Sequence, residues 1–96
     1  MTAASAPLYD PDRATYDPAT EARIASLLVG AIDPHVHTGP SIANRALDHI
    51  EYAQDSSKAG FAAIVTKDHD YASTMTSWLI NKHYPELRTK VYGSIV

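Results

Sequence analysis

His35 and His37 close the apolar stretch Ala31-Ile32-Asp33-Pro34-His35-Val36-His37, and their type and spacing suit a metal ion. In an extended chain successive side chains alternate between faces. The two imidazoles therefore project to one side, roughly 7 Å apart at a rise of about 3.3 Å per residue. Zn²⁺, Mn²⁺ and Fe²⁺ accept neutral imidazole, which sheds no proton before binding. Gly39 and Pro40 break the strand just beyond, and the C-terminal mouth of a parallel sheet is where ligands of α/β proteins bind. A second polar cluster, Lys67-Asp68-His69-Asp70, follows a second apolar run. His69 is a candidate third metal ligand or a substrate-contacting base. Asp68 and Asp70 are candidate ligands or acid–base groups. Lys67 suits an anionic group of a substrate, or a salt bridge within the chain. Asp33 suits a carboxylate that accepts a hydrogen bond from a ligand histidine or fixes the loop. The plainer alternative for each is a solvated strand-end or loop residue, since five histidines in 96 residues make one His-x-His pair no surprise.

The two clusters meet only if both lie just past adjacent parallel strands, so the intervening elements matter. Residues 1 to 16 show no periodicity and read as an irregular lead-in. Asp17-Pro18 is a helix start, Ile24, Leu27 and Leu28 form an apolar stripe, and Gly30 is a stop. A second helix is expected from about Arg45 to Ala59, with Ala46, Leu47, Ile50 and Ala53 at helical spacing, Lys58 in its last turn and Gly60 ending it. Phe61 to Thr66 is nearly all apolar and reads as a buried parallel strand. Ser73 or Thr74 begins a third helix whose Met75, Trp78 and Leu79 are expected in the core, stopping before Pro85. Lys90 to Val96 is a third strand. His49 and His83 fall within helices, away from the rim, as surface or helix-packing residues. Alternation of helices and strands predicts βαβ units and a parallel sheet over residues 17–96.

Composition excludes several classes. A formal charge of −3 and a pI near 5.9 argue against a nucleic-acid binder. There is no cysteine, so thiolate sites, thiol catalysis and disulfides are out. No apolar run approaches the ~18 residues of a membrane span, and the N-terminus lacks a secretory pattern. A cytoplasmic protein acting on a small molecule, free or self-associated, is expected. No phosphate-binding loop or dinucleotide fingerprint occurs, which weakens a flavodoxin-like alternative.

Ile32-Asp33-Pro34-His35-Val36-His37 resembles the first-strand motif of the amidohydrolase superfamily, metal-dependent hydrolases on a (β/α)₈ barrel. The resemblance implies that His35 and His37 bind the metal, with zinc first and manganese or iron as alternatives. The stretch from Ala59 to Asp70 also resembles the polymerase and histidinol phosphatase family, whose Thr-Asp-His would make His69 a further ligand. Here Lys67 intervenes between Thr66 and Asp68, and no Ser-Asp-Gly follows His37. A full barrel takes ~250 residues, so the expectation is a partial (β/α) barrel, three parallel strands of the N-terminal portion of a TIM-barrel-like fold. Such a piece is expected to be inactive unaided. The alternative is an inactive fragment or a small α/β interaction module without metal.

Overall fold

A computed structural model describes residues 16–95; the expected lead-in, Tyr16 apart, lies outside the described residues. The elements alternate as α1 (Pro18–Leu28), β1 (Ile32–His37), α2 (His49–Ala59), β2 (Ala63–Lys67), α3 (Thr74–His83) and β3 (Lys90–Tyr92). The strands form one open parallel sheet in the order β1-β2-β3. Among the described residues, no helix is long and apolar enough to cross a membrane.

The helix starts follow local chemistry. Asp17 accepts the Thr20 N–H at 2.8 Å, and Pro18 occupies the first turn of α1. This backbone hydrogen bond holds the Asp17 carboxyl below its usual range. Helix α2 begins at His49, later than the spacing of Ala46 and Leu47 suggests. Asp48 accepts the Glu51 N–H at 2.7 Å and Glu51 accepts the Asp48 N–H at 3.0 Å. This reciprocal pair satisfies two free donors and fixes the start. Gly60 ends α2 in the left-handed region, at φ 87°.

The core is small. Ala53 of α2, Ile64 of β2, Ile80 of α3 and Val91 of β3 are its fully buried apolar residues, flanked by Ile50, Tyr52, Phe61, Tyr84 and Leu87. Helices α2 and α3 thus share the sheet face that carries Ile64 and Val91. Strand β2 is covered on that face alone: Ile64 and Thr66 are buried while Ala63, Val65 and Lys67 are half-exposed. It is therefore not the strand buried on both faces that its apolar run suggests.

Met75 and Trp78 are not core residues either, being 73% and 60% exposed. The rotation of α3 is set at its first turn. Ser73 Oγ donates to the Thr66 carbonyl at 2.7 Å and accepts the Ser94 N–H at 3.0 Å, while Ser77 Oγ donates to the Ser73 carbonyl at 3.0 Å. Fastened this way, α3 turns Ser77 and Ile80 inward. The stripe of Met75, Trp78 and Leu79 faces out, and Lys82 Nζ lies 4.9 Å from the Trp78 ring centroid. Strand β3 stops at Tyr92, short of the expected Val96. The Ser94 carbonyl accepts the Ser73 N–H at 3.0 Å, which draws the chain off the sheet onto α3. Asn81 covers the outer edge, accepting the Val91 N–H at 3.0 Å and donating to its carbonyl at 2.8 Å.

Candidate functional site

The histidine strand is irregular where it matters. Asp33 pairs with Ile64 and Val36 with Thr66, so between these pairs β1 advances three residues (33 to 36) and β2 only two (64 to 66). The extra residue falls at Pro34-His35, and a proline, lacking an N–H, is at home in a bulge. Asp33 holds the bulge from the helix side. Its Oδ1 accepts the His35 N–H at 3.1 Å and its Oδ2 accepts the Tyr52 hydroxyl at 2.7 Å. Burial and then the Asp33 carboxylate push the Tyr52 hydroxyl up to about 12. Strict alternation would put His37 on the helix-covered side with Asp33. The bulge resets the phase, and His37 pairs with Lys67 on the other face.

There the two imidazoles converge. His35 Nε2 lies 3.0 Å from His37 Nε2, with ring centroids 4.9 Å apart and nearly edge to face. His37 Nδ1 lies 3.0 Å from the Lys67 carbonyl. A carbonyl only accepts, so Nδ1 carries the proton and Nε2 presents a lone pair. His35 Nε2–H then donates to it. His69 joins from the β2–α3 loop, its ring stacked on His37 at 4.7 Å between centroids. The two clusters therefore share one rim.

Lys67 enters this geometry through its carbonyl. Asp68 is 1% exposed. Its Oδ1 accepts the Asp70 N–H at 2.8 Å, and its Oδ2 has no partner among the described residues. The Asp70 N–H above all, aided by the charges of Arg45 and His69, holds its carboxyl below the usual range against the opposing effect of burial. Arg45 Nε is likewise buried without a partner among the described residues. Asp70 and His69 are exposed.

His49 is neither bland nor remote. It is 2% exposed, and as the first residue of α2 it stands at the strand-end rim. Tyr71 donates its hydroxyl proton to the Pro40 carbonyl, so His49 Nε2–H donates to Tyr71 Oη at 2.7 Å. In the neutral ring Nδ1 then accepts, and Thr38 Oγ1 is its donor. The Asp48-x-x-Glu51 pattern is the sequence signal that places His49 there, because it moves the helix start onto that residue. Burial pushes the His49 imidazole below its ordinary value, against the pull of Asp48 and Asp68. The unfolded chain then takes up a proton more readily than the folded one. Stability present above about pH 6.5 is lost as pH falls through the lower folded value. His49→Gln is expected to flatten that limb when urea midpoints are measured from about pH 7.5 to 5. An unchanged slope would assign the limb to other groups.

A parallel, sequentially ordered sheet with three histidines gathered at its C-terminal rim defines an α/β domain with a strand-end polar site. The chain belongs to a family of unknown function, DUF6282, whose model matches residues 30–96. That range takes in all three strands and the whole rim. No curated protein and no solved structure matches the chain.

Proposed function

We propose that His35 and His37 form part of a divalent-metal centre, zinc by first choice, in a hydrolase of the amidohydrolase type. The observation that carries this reading is the approach of the two Nε2 atoms to 3.0 Å, with His37 Nδ1 anchored on the Lys67 carbonyl. Ring nitrogens bound tetrahedrally to one ion at about 2.0–2.1 Å lie about 3.3 Å apart, close to this separation, and His35 would carry its proton on Nδ1 when Nε2 binds the ion. A backbone carbonyl on the far nitrogen is the usual support of a ligand histidine. Among the described residues no group of three or more His, Asp or Glu has a metal-site arrangement. Catalytic zinc keeps three protein ligands, so one more donor must come from elsewhere, or from His69 after its ring turns. An ion held there would lower the pKa of bound water to about 7 and polarise a carbonyl or phosphoryl oxygen. Of the chain's own groups, the exposed His69 and Asp70 would serve proton transfer and Lys67 an anionic substrate group, while Asp68, 1% exposed, would act through the loop it holds by accepting the Asp70 N–H.

The sequential strand order, with α2 and α3 on one face, is that of a singly wound (β/α) barrel. One βαβαβ half of a doubly wound sheet shares this order, so the strands agree with a partial barrel and the histidine motif of β1 is what favours it as the frame. Zinc titration by calorimetry, after dialysis against chelator, tests the metal reading. The wild-type chain is expected to bind and the His35→Ala/His37→Ala chain to lose measurable binding; equal affinity would overturn it.

A second reading, a metal-free interaction module, is favoured by Asn81 covering the outer edge of β3 and by Ile32 and Tyr92, 63% and 54% exposed on the open face. It expects a chelator-insensitive, self-associating species in sedimentation.

A further inference from the structure

We infer that His49 and Tyr71 are positioning residues whose hydrogen-bonded chain clamps the β1–α2 loop to the β2–α3 loop and so sets the approach of His37 to His69. The inference rests on the reading of the rim histidines as the functional centre. Three links run in sequence: Thr38 Oγ1 to His49 Nδ1, His49 Nε2 to Tyr71 Oη, and Tyr71 Oη to the Pro40 carbonyl, which returns to the loop where it began. Thr38 directly follows His37, and Tyr71 stands two residues after His69. Gly39 extends the fastening through backbone, its N–H donating to the Leu47 carbonyl at 2.9 Å and its carbonyl accepting the His49 N–H at 2.9 Å.

Beyond the sheet ladder and this closure, the His37 Nδ1 bond to the Lys67 carbonyl and the charge of Arg45 near Asp68 tie the two histidine-bearing segments among the described residues. The first orients His37, and the Ser73 bond to the Thr66 carbonyl closes the base of the His69 loop without reaching β1. The clamp supplies the missing restraint, because Tyr71 cannot move without breaking with both His49 and Pro40. His49 suits the task since its buried neutral ring offers one donor and one acceptor in opposite directions. Thr38 at 2% exposure is too enclosed to meet a substrate, which sets aside a nucleophilic role for the Thr38–His49 pair.

Tyr71→Phe keeps the ring and removes both of its hydrogen bonds. In the metal-free chain, nuclear Overhauser contacts between the His37 and His69 rings report the stacking. They are expected to vanish in Tyr71→Phe and in His49→Phe. They should persist in Ser57→Ala, which removes a distant bond to the Arg88 N–H and controls for general destabilisation. Zinc affinity of Tyr71→Phe should fall about tenfold, as when the support of a ligand is lost. Persistence of the ring contacts in either folded variant would overturn the clamp. Absence of zinc binding in the wild-type chain would remove the metal reading while the ring contacts still judge the clamp.

Discussion

Ile64→Ala is expected to lower stability by about 2–5 kcal/mol, the range for truncating a fully buried aliphatic residue. Ile64 is 0% exposed and stands at the middle of the sheet, paired with Asp33 on one side and Val91 on the other. It shares a cluster with Ala53 and Ile80, so both covering helices lean on it. Ala53 is too small to move into the space, and Val91 and Ile80 are held by the Asn81 bridge to β3. The cavity therefore stays open and the effect belongs in the upper half of the range. A domain of this size commands only about 5–10 kcal/mol in all, so a large share of stability is at stake. Urea unfolding measures it as a lowered midpoint at unchanged slope. Met75→Ala, at a side chain 73% exposed, should stay within about 0.5 kcal/mol. Equal shifts for the two would mean that Ile64 is not central to the core.

The order of elements is legible in the chain because each boundary is written in local chemistry. Asp17-Pro18 starts α1, Gly60 stops α2, and the apolar run before Lys67 is β2. What periodicity cannot carry is the rotation of a helix about its axis when tertiary bonds set it. The stripe of Met75, Trp78 and Leu79 is the more apolar face of α3, yet the Ser73 hydroxyl, bound to the Thr66 carbonyl, fixes the helix start so that Ser77 and Ile80 turn inward. A hydroxyl bonded to backbone can be buried at little loss, so Ser77 lies inside beside Ile80. The end of β3 fails for the same reason, since Ser94 binds α3 and leaves the sheet.

At the rim, strand alternation brings His35 and His37 to one side by the wrong route. Counting by twos would place both with Asp33 against the helices, and the bulge at Pro34-His35 carries His37 to the open face beside Lys67. Proline inside a strand is the visible trace of that bulge. That His69 lies at the same rim follows from parallel neighbours, because both loops leave the sheet at one end. The Thr38–His49–Tyr71 chain is hidden for a different reason. It joins a strand end, a helix start and a loop that no short pattern links, and only the Asp48-x-x-Glu51 box hints that His49 sits on the rim.

Gly93→Val tests whether the rim depends on how closely the segment just after β3 runs past the start of α3. A Cβ added at Gly93 would overlap the backbone of Ser73 and Thr74, well inside contact distance. Backbone cannot turn aside as a flexible side chain does, so either the segment after β3 or the first turn of α3 must shift. Overpacking of this kind typically removes about 1–3 kcal/mol, and a branched side chain against backbone belongs at or beyond the upper end. The shift would strike Ser73, whose hydroxyl joins the Thr66 carbonyl to the Ser94 N–H. Thr66 and Ser73 bracket the loop that carries His69. Gly93→Val is therefore expected to lower the urea midpoint and to weaken the His37–His69 ring contacts together, though residue 93 lies in neither cluster. A variant that loses stability but keeps the ring contacts would show that the rim is fastened by the sheet and the Tyr71 bonds alone, independently of α3.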